Sequence, residues 1–104
     1  MKIKTSQRFR RQWRKLLNQT LENYGQRQVR KNADRLVFLV RILIDNPKYG
    51  FPELLLANKE REYRSLLLFG NYKIVYYTGK DYVKLEDIWN MRMSPERLTR
   101  PYNR

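Results

Sequence analysis

Arginine, lysine and tyrosine are the residues of this 104-residue chain best placed to do chemistry, because cysteine and histidine are both absent. Thiolate nucleophiles, disulfides and thiolate metal sites are excluded, and so are the commonest general base and the commonest transition-metal ligand. Any catalysis must use Tyr, Lys, Arg, Asp or Glu. Three cations, Arg64, Lys73 and Arg92, lie in or just after β-rich runs. Cations on adjacent strands can converge on one face and bind phosphate. Their plainer reading is exposed residues paired with Glu62, Glu86 or Asp87. Tyr63, Tyr72, Tyr76, Tyr77 and Tyr82 can stack on bases, yet tyrosine is also a favoured strand residue, and packing accounts for most of them. Trp89, at a strand end, fits either core or interface.

Charge narrows the class of partner. Lys and Arg total 23 against 10 acids, a net of +13, and residues 1–44 carry 12 bases and 2 acids, so +10 of that net sits there. A field this large suits a polyanion: nucleic acid, a negatively charged surface or an acidic protein. The N-terminus is basic without an apolar h-region, so no signal peptide is expected. The longest apolar run, Leu36–Ile44, is interrupted by Arg41, well short of the ~18 residues of a membrane span. The expectation is a cytoplasmic protein with no cofactor, no metal and no membrane contact.

The elements that must position these residues follow from periodicity. Residues 62–90 hold three β-rich runs, Tyr63–Phe69, Tyr72–Thr78 and Tyr82–Trp89, parted by Gly70-Asn71 and Gly79-Lys80-Asp81. Short glycine-bearing breaks favour antiparallel hairpins, so a meander is predicted. Strict alternation puts Tyr72, Ile74 and Tyr76 on one face with Lys73, Val75 and Tyr77 on the other. In the last run it groups Val83, Leu85, Asp87 and Trp89. Upstream, Met1–Thr5 can add an edge strand and Ser6 or Thr5 can cap a helix. Phe9, Trp13, Leu16, Leu17, Leu21 and Tyr24 recur at helical spacing, Gly25 stops the helix, and Phe9 and Trp13 are assigned to packing. Val29, Ala33, Leu36, Val37, Val40, Leu43 and Ile44 mark a second helix that Asp45-Asn46-Pro47 ends. Glu53–Ala57 fits one helical turn or an extended lid. Ser94 and Pro95 open a short capped turn, and residues 94–104 form a basic tail, mobile from Thr99 onward. The fold class is α+β, in one domain over residues 1–104. A helical hairpin at about 6–45 packs on one face of a small antiparallel sheet in the order β-α-α-β-β-β.

At this point the chain resembles the RelE/ParE superfamily of bacterial toxins. The likeness rests on Tyr63-Arg64-Ser65, on Gly70-Asn71-Tyr72-Lys73-Ile74-Val75-Tyr76, on Ile88-Trp89-Asn90-Met91-Arg92 and on Ser94-Pro95-Glu96-Arg97-Leu98. Pro47 and Gly50 also stand where that family has its P-x-x-G loop. The resemblance implies the toxin half of a type II toxin–antitoxin module, associated with plasmid stabilization and growth inhibition and held inactive by an acidic antitoxin. RelE-like members cleave mRNA on the ribosome, and ParE-like members poison DNA gyrase without nuclease residues. Arg64 stands where one family lysine lies, Lys73 where an arginine follows the strand tyrosine, and Arg92 fits the arginine after the last strand. Leu66 replaces a second catalytic lysine, and Tyr102 is too far along for the proton-transfer tyrosine.

The reading that results is a ParE-like toxin that binds DNA gyrase. Arg64, Lys73, Tyr77, Trp89, Arg92 and Arg97 are expected to contact target or antitoxin. The alternative is a ribosome-dependent, metal-independent mRNA endoribonuclease using Arg64, Lys73 and Arg92. A further alternative is a non-toxic basic module that binds nucleic acid through Arg8–Lys15.

Overall fold

A computed structural model describes residues 1–103. Strand β1 (Lys2–Thr5) leads into helices α1 (Gln7–Tyr24) and α2 (Gln26–Asp45). Then come a two-residue strand β2 (Phe51–Pro52), a 3₁₀ turn (Leu54–Leu56), and strands β3 (Arg64–Phe69), β4 (Tyr72–Thr78) and β5 (Tyr82–Asn90). A short helix α3 (Pro95–Thr99) and a 3₁₀ turn (Arg100–Tyr102) follow. The sheet has five strands in the order β1-β5-β4-β3-β2. It is antiparallel except at β1, which runs parallel to β5. The α+β class expected from periodicity is the class found, with β2 an addition.

Local chemistry fixes the helix ends. The Ser6 hydroxyl accepts from the Phe9 amide at 2.9 Å and donates to the Glu86 carbonyl at 2.6 Å, capping α1 and tying it to β5. Such a cap contributes about 1 kcal/mol. Gly25 joins the two helices alone, at φ +88°, a conformation only glycine adopts cheaply. Past the end of β1, Gln12 covers the free edge of β5 by accepting from the Ile88 amide at 2.8 Å.

The helices cover one face. Phe9, Leu16, Leu39 and Leu43 bury against Leu66, Leu68, Ile74, Tyr76, Val83, Leu85 and Ile88, with Trp13 packed alongside. Each fully buried aliphatic side chain here stabilises by about 1.5–3 kcal/mol. The stripes differ from expectation: Leu21 and Tyr24 at the end of α1 are exposed, and within α2 Val37 is exposed while Leu39 is buried. The α1 buried line is completed by Thr20 and the α2 line by Asn32, both polar.

Two expectations need correction. The last strand does not alternate strictly, because the register shifts between Val75↔Asp87 and Tyr76↔Leu85. This bulge adds Glu86 to the strand and reverses the parity beyond it. Val83, Leu85 and Ile88 therefore share the helix side, while Asp87 and Trp89 face the other way. The segment 94–104 is no mobile tail either; Arg104 lies outside the described residues, but the rest is folded. Ser94 caps α3, and Leu98 and Tyr102 join Leu56, Val75, Trp89, Tyr63 and Met93 in a second, smaller core on the face opposite the helices. Burial of Leu98 and Tyr102 outweighs the cost of ordering a short basic segment.

Candidate functional site

The face opposite the helices is built around two buried carboxylates. Glu53, 5% exposed, leaves β2 and receives Lys73 Nζ in an ion pair, the Ser65 hydroxyl at 2.9 Å and the Leu55 amide at 3.1 Å. Burial alone would push its carboxyl up, but the bonds from Lys73, Leu55 and Ser65 outweigh it and hold it below the usual range. Asp87, 3% exposed, receives Gln12 at 2.6 Å, the Tyr102 hydroxyl at 2.8 Å, the Trp89 indole N–H at 3.0 Å and Arg8 at 3.3 Å. These two carboxylates make the ion pairs found among the described residues.

Beside them lies an aromatic cleft of about 460 Å³ in which Arg8, Lys59 and Arg61 face Glu60 and Glu86 beside the rings of Tyr63 and Tyr102. Tyr63 is edge-on to Tyr77 (5.7 Å between centroids) and to Tyr102 (5.3 Å). The guanidinium of Arg61 lies 4.2 Å from the Tyr77 centroid, and that of Arg8 lies 5.7 Å from Tyr102, which orients both cations. Burial pushes the Tyr63, Tyr77 and Tyr102 hydroxyls up, and the Asp87 charge raises Tyr102 further. At neutral pH these phenols stay protonated, and the Tyr102 proton is given to Asp87. With three cations against Glu60 and Glu86 the lining is positive by one charge, which suits an anionic partner. Among the described residues no cluster of carboxylates is arranged to hold a metal ion.

The residues singled out in the sequence are dispersed. Lys73 and Trp89 are directly opposite on β4 and β5, and Lys73 lies 5.3 Å over the indole, sealed against Glu53. Trp89 is only 2% exposed, so it is a core residue and not a contact surface, because the bulge turns it inward beneath Leu98 and Tyr102. Tyr77 is likewise buried, with its ring under Arg61. Arg64 does not share their face. It pairs with Tyr76 in the register, on the helix side, and donates to the Gly50 carbonyl at 2.8 Å. Convergence of Arg64 with Lys73 is therefore corrected: their positions differ in parity across the β3–β4 pair. Arg92 is exposed in the turn after β5, where Asn71, with its amide oxygen toward it, accepts from Nε at 3.0 Å and Nη2 at 3.2 Å. Arg97 is exposed on α3.

Arg64 belongs to a structural device. The buried Tyr76 hydroxyl donates to the Pro47 carbonyl at 2.8 Å and accepts from the Gly50 amide at 2.9 Å. A Cβ on Gly50 would meet the Ser65 carbonyl and the Tyr76 ring at 2.8 Å, so the spacing of Pro47 and Gly50 is a packing requirement. Sequence reasoning missed Arg8, Lys59, Arg61 and Tyr102 as a group. The one available signal was an aromatic residue following a Ser-Pro cap in an otherwise polar end.

No protein-family model and no curated protein matches this chain. Among solved structures it is similar to a chain described as "Chromosomal ParDE TA system from P. aeruginosa", with a TM-score of 0.68 and 13% identity over 86% of this chain and 95% of that one. Likeness at that identity is likeness of fold, and it agrees with the RelE/ParE-like architecture expected from the residues.

Proposed function

We propose that this chain is the toxin of a type II toxin–antitoxin pair that inhibits growth by binding DNA gyrase and is neutralised by an acidic antitoxin. The observation that carries the reading is the fold, shared with a chain of the ParDE TA system. The net charge of +13 supports an acidic inhibitor and a polyanion-bound target alike. The placement of the cations supports a toxin that binds over one that cleaves. Arg64 holds a loop carbonyl, Lys73 is paired with Glu53 and Arg92 faces Asn71, so the three do not meet around one phosphate. In this reading Arg8, Lys59 and Arg61 take over as the cations of the contact surface, with Arg92 and Arg97 at its margin.

One observation favours the second reading, a ribosome-dependent endoribonuclease. Tyr102 reaches the cationic cleft despite its distance along the chain, where its ring and that of Tyr63 offer aromatic faces beside the cations to a bound RNA base. Induced expression with parallel assays of gyrase activity and mRNA integrity separates the two. Trapped cleaved DNA and SOS induction, with translation initially intact, is the expected result. Early cuts in translated mRNA would replace the gyrase reading with the nuclease reading. Arrested growth with neither signature would remove both targets.

A further inference from the structure

At the closed end of the helical hairpin both buried stripes turn from apolar to polar. The α1 line Phe9, Leu16 ends in Thr20, and the α2 line has Asn32 two turns before Leu39. Together with the β3–β4 turn they line an open cavity of about 480 Å³, within the roughly 300–1,000 Å³ usual for small-ligand sites. In a chain of net +13 its lining has no charged side chain. It consists of amides (Gln19, Gln28, Asn32 and Asn71 among them) and aromatic faces from Phe69 and Tyr72.

Asn32 is the telling residue. It is 7% exposed and its oxygen accepts from Gln28 at 2.9 Å, while its amide nitrogen donates to no described group and is not sealed from the cavity. Thr20, also 7% exposed, gives its proton to the Leu16 carbonyl at 2.8 Å, which leaves its lone pairs as acceptors. Polar atoms that open into the cavity in this way are met by water and can be met by a ligand in its place. Leu16, Gln19 and Tyr72 also line a second depression of about 300 Å³ along α1, together with Gln12, Lys15 and Asn90. Lys15 is the charged residue of that lining.

We propose that this cavity binds a nucleotide, with the base held by Asn32, Gln28 and Asn71 against Tyr72 and the phosphates trailing to Lys15. Amide side chains present the paired donor and acceptor that a base edge requires, aromatic faces stack on it, and only the anionic end needs cations. The site lies on the helix side, away from the Arg61 cleft, and its test is a binding assay independent of any toxin activity.

The assay is titration of the full chain with ATP, CTP, a single-stranded hexanucleotide and two charge controls, inorganic tripolyphosphate and an abasic hexamer. A base-bearing probe is expected to bind about tenfold more tightly than its control. ATP or CTP behaving so identifies a free nucleotide as the ligand; the hexanucleotide alone doing so identifies a strand. Gln28→Leu and Asn71→Ala should erase that preference and leave the controls unchanged, whereas Lys15→Ala should weaken every probe. Equal affinity of base-bearing and base-free probes overturns the proposal, as does a neutral peptide displacing the nucleotide at lower concentration. The parent chain alone decides the first point, so a variant that fails to fold does not rescue the idea.

Discussion

The two faces of the sheet are held by different physics. Under the helices, the central contacts are aliphatic and aromatic, and the fully buried Tyr76 hydroxyl finds both its partners in a loop. On the opposite face four buried hydrophobic residues share their space with two carboxylates that together engage most of the nearby donors. The first face is specified by volume, the second by satisfied polarity. Volume tolerates substitution that conserves size, whereas a buried network fails when one member is removed.

The strongest way to break the contrast is at its two centres. Asp87→Ala strands Gln12, Trp89, Tyr102 and Arg8 and is expected to cost about 3–5 kcal/mol in urea unfolding; the near-isosteric Asp87→Asn should also cost well over 1 kcal/mol. Leu43→Ala on the helix side should cost about 2–5 kcal/mol, but Leu43→Met less than about 1.5 kcal/mol. If Asp87→Asn proves as mild as Leu43→Met, the second face is not governed by polarity.

Proton linkage sharpens the same point. Tyr102 is raised above its ordinary value of 10.0 by burial first and then by Asp87, and Tyr63, Tyr76 and Tyr77 are raised by burial. A raised folded-state value means that stability is fully present below about pH 10 and is lost as pH climbs beyond it. Tyr102→Phe, costing about 1.5–3 kcal/mol near neutrality, should flatten that alkaline limb in denaturation curves. Glu53 has the opposite sign. Its folded value lies below the ordinary 4.5, so its contribution holds above that pH and disappears as pH falls through the folded value. Glu53→Gln should therefore be less sensitive to acid between pH 5 and the folded value, about where Glu begins to titrate.

The smallest stability effect should belong to the residue with the largest functional one. Arg61→Ala removes an exposed cation–π contact worth about 0.5–1 kcal/mol, so its melting temperature should hardly move while growth inhibition on induction falls sharply. Growth arrest equal to the parent's would take the Arg61 cleft out of the contact surface.

Much of the frame was legible in the chain, because it is written in short-range chemistry. Ser6, Gly25, Pro47 and the Ser94-Pro95 pair act within a turn of their own positions, and the two hairpin breaks act between adjacent strands. What escaped was long-range or a matter of parity. The bulge at Glu86 has no local signal, since a strand with one extra residue reads like any other, and it moved Asp87 and Trp89 to the unexpected face. Arg64 alternates with Leu66 and Leu68, which puts it on the helix side, and the expected convergence with Lys73 conflicts with that parity. The Arg61 cleft was hidden because Asn58–Arg61 looks like solvated loop and Tyr102 looks like tail. Only the burial of Leu98 and Tyr102 joins them.

The parallel pairing of β1 with β5 has a consequence for how the sheet forms. Lys2 aligns with Tyr82 and Thr5 with Leu85, so strand residues at the start of the chain find their partners only some eighty positions later. Pairing at that separation is a slow, non-local step. The sheet therefore keeps an open β5 edge until its first strand docks.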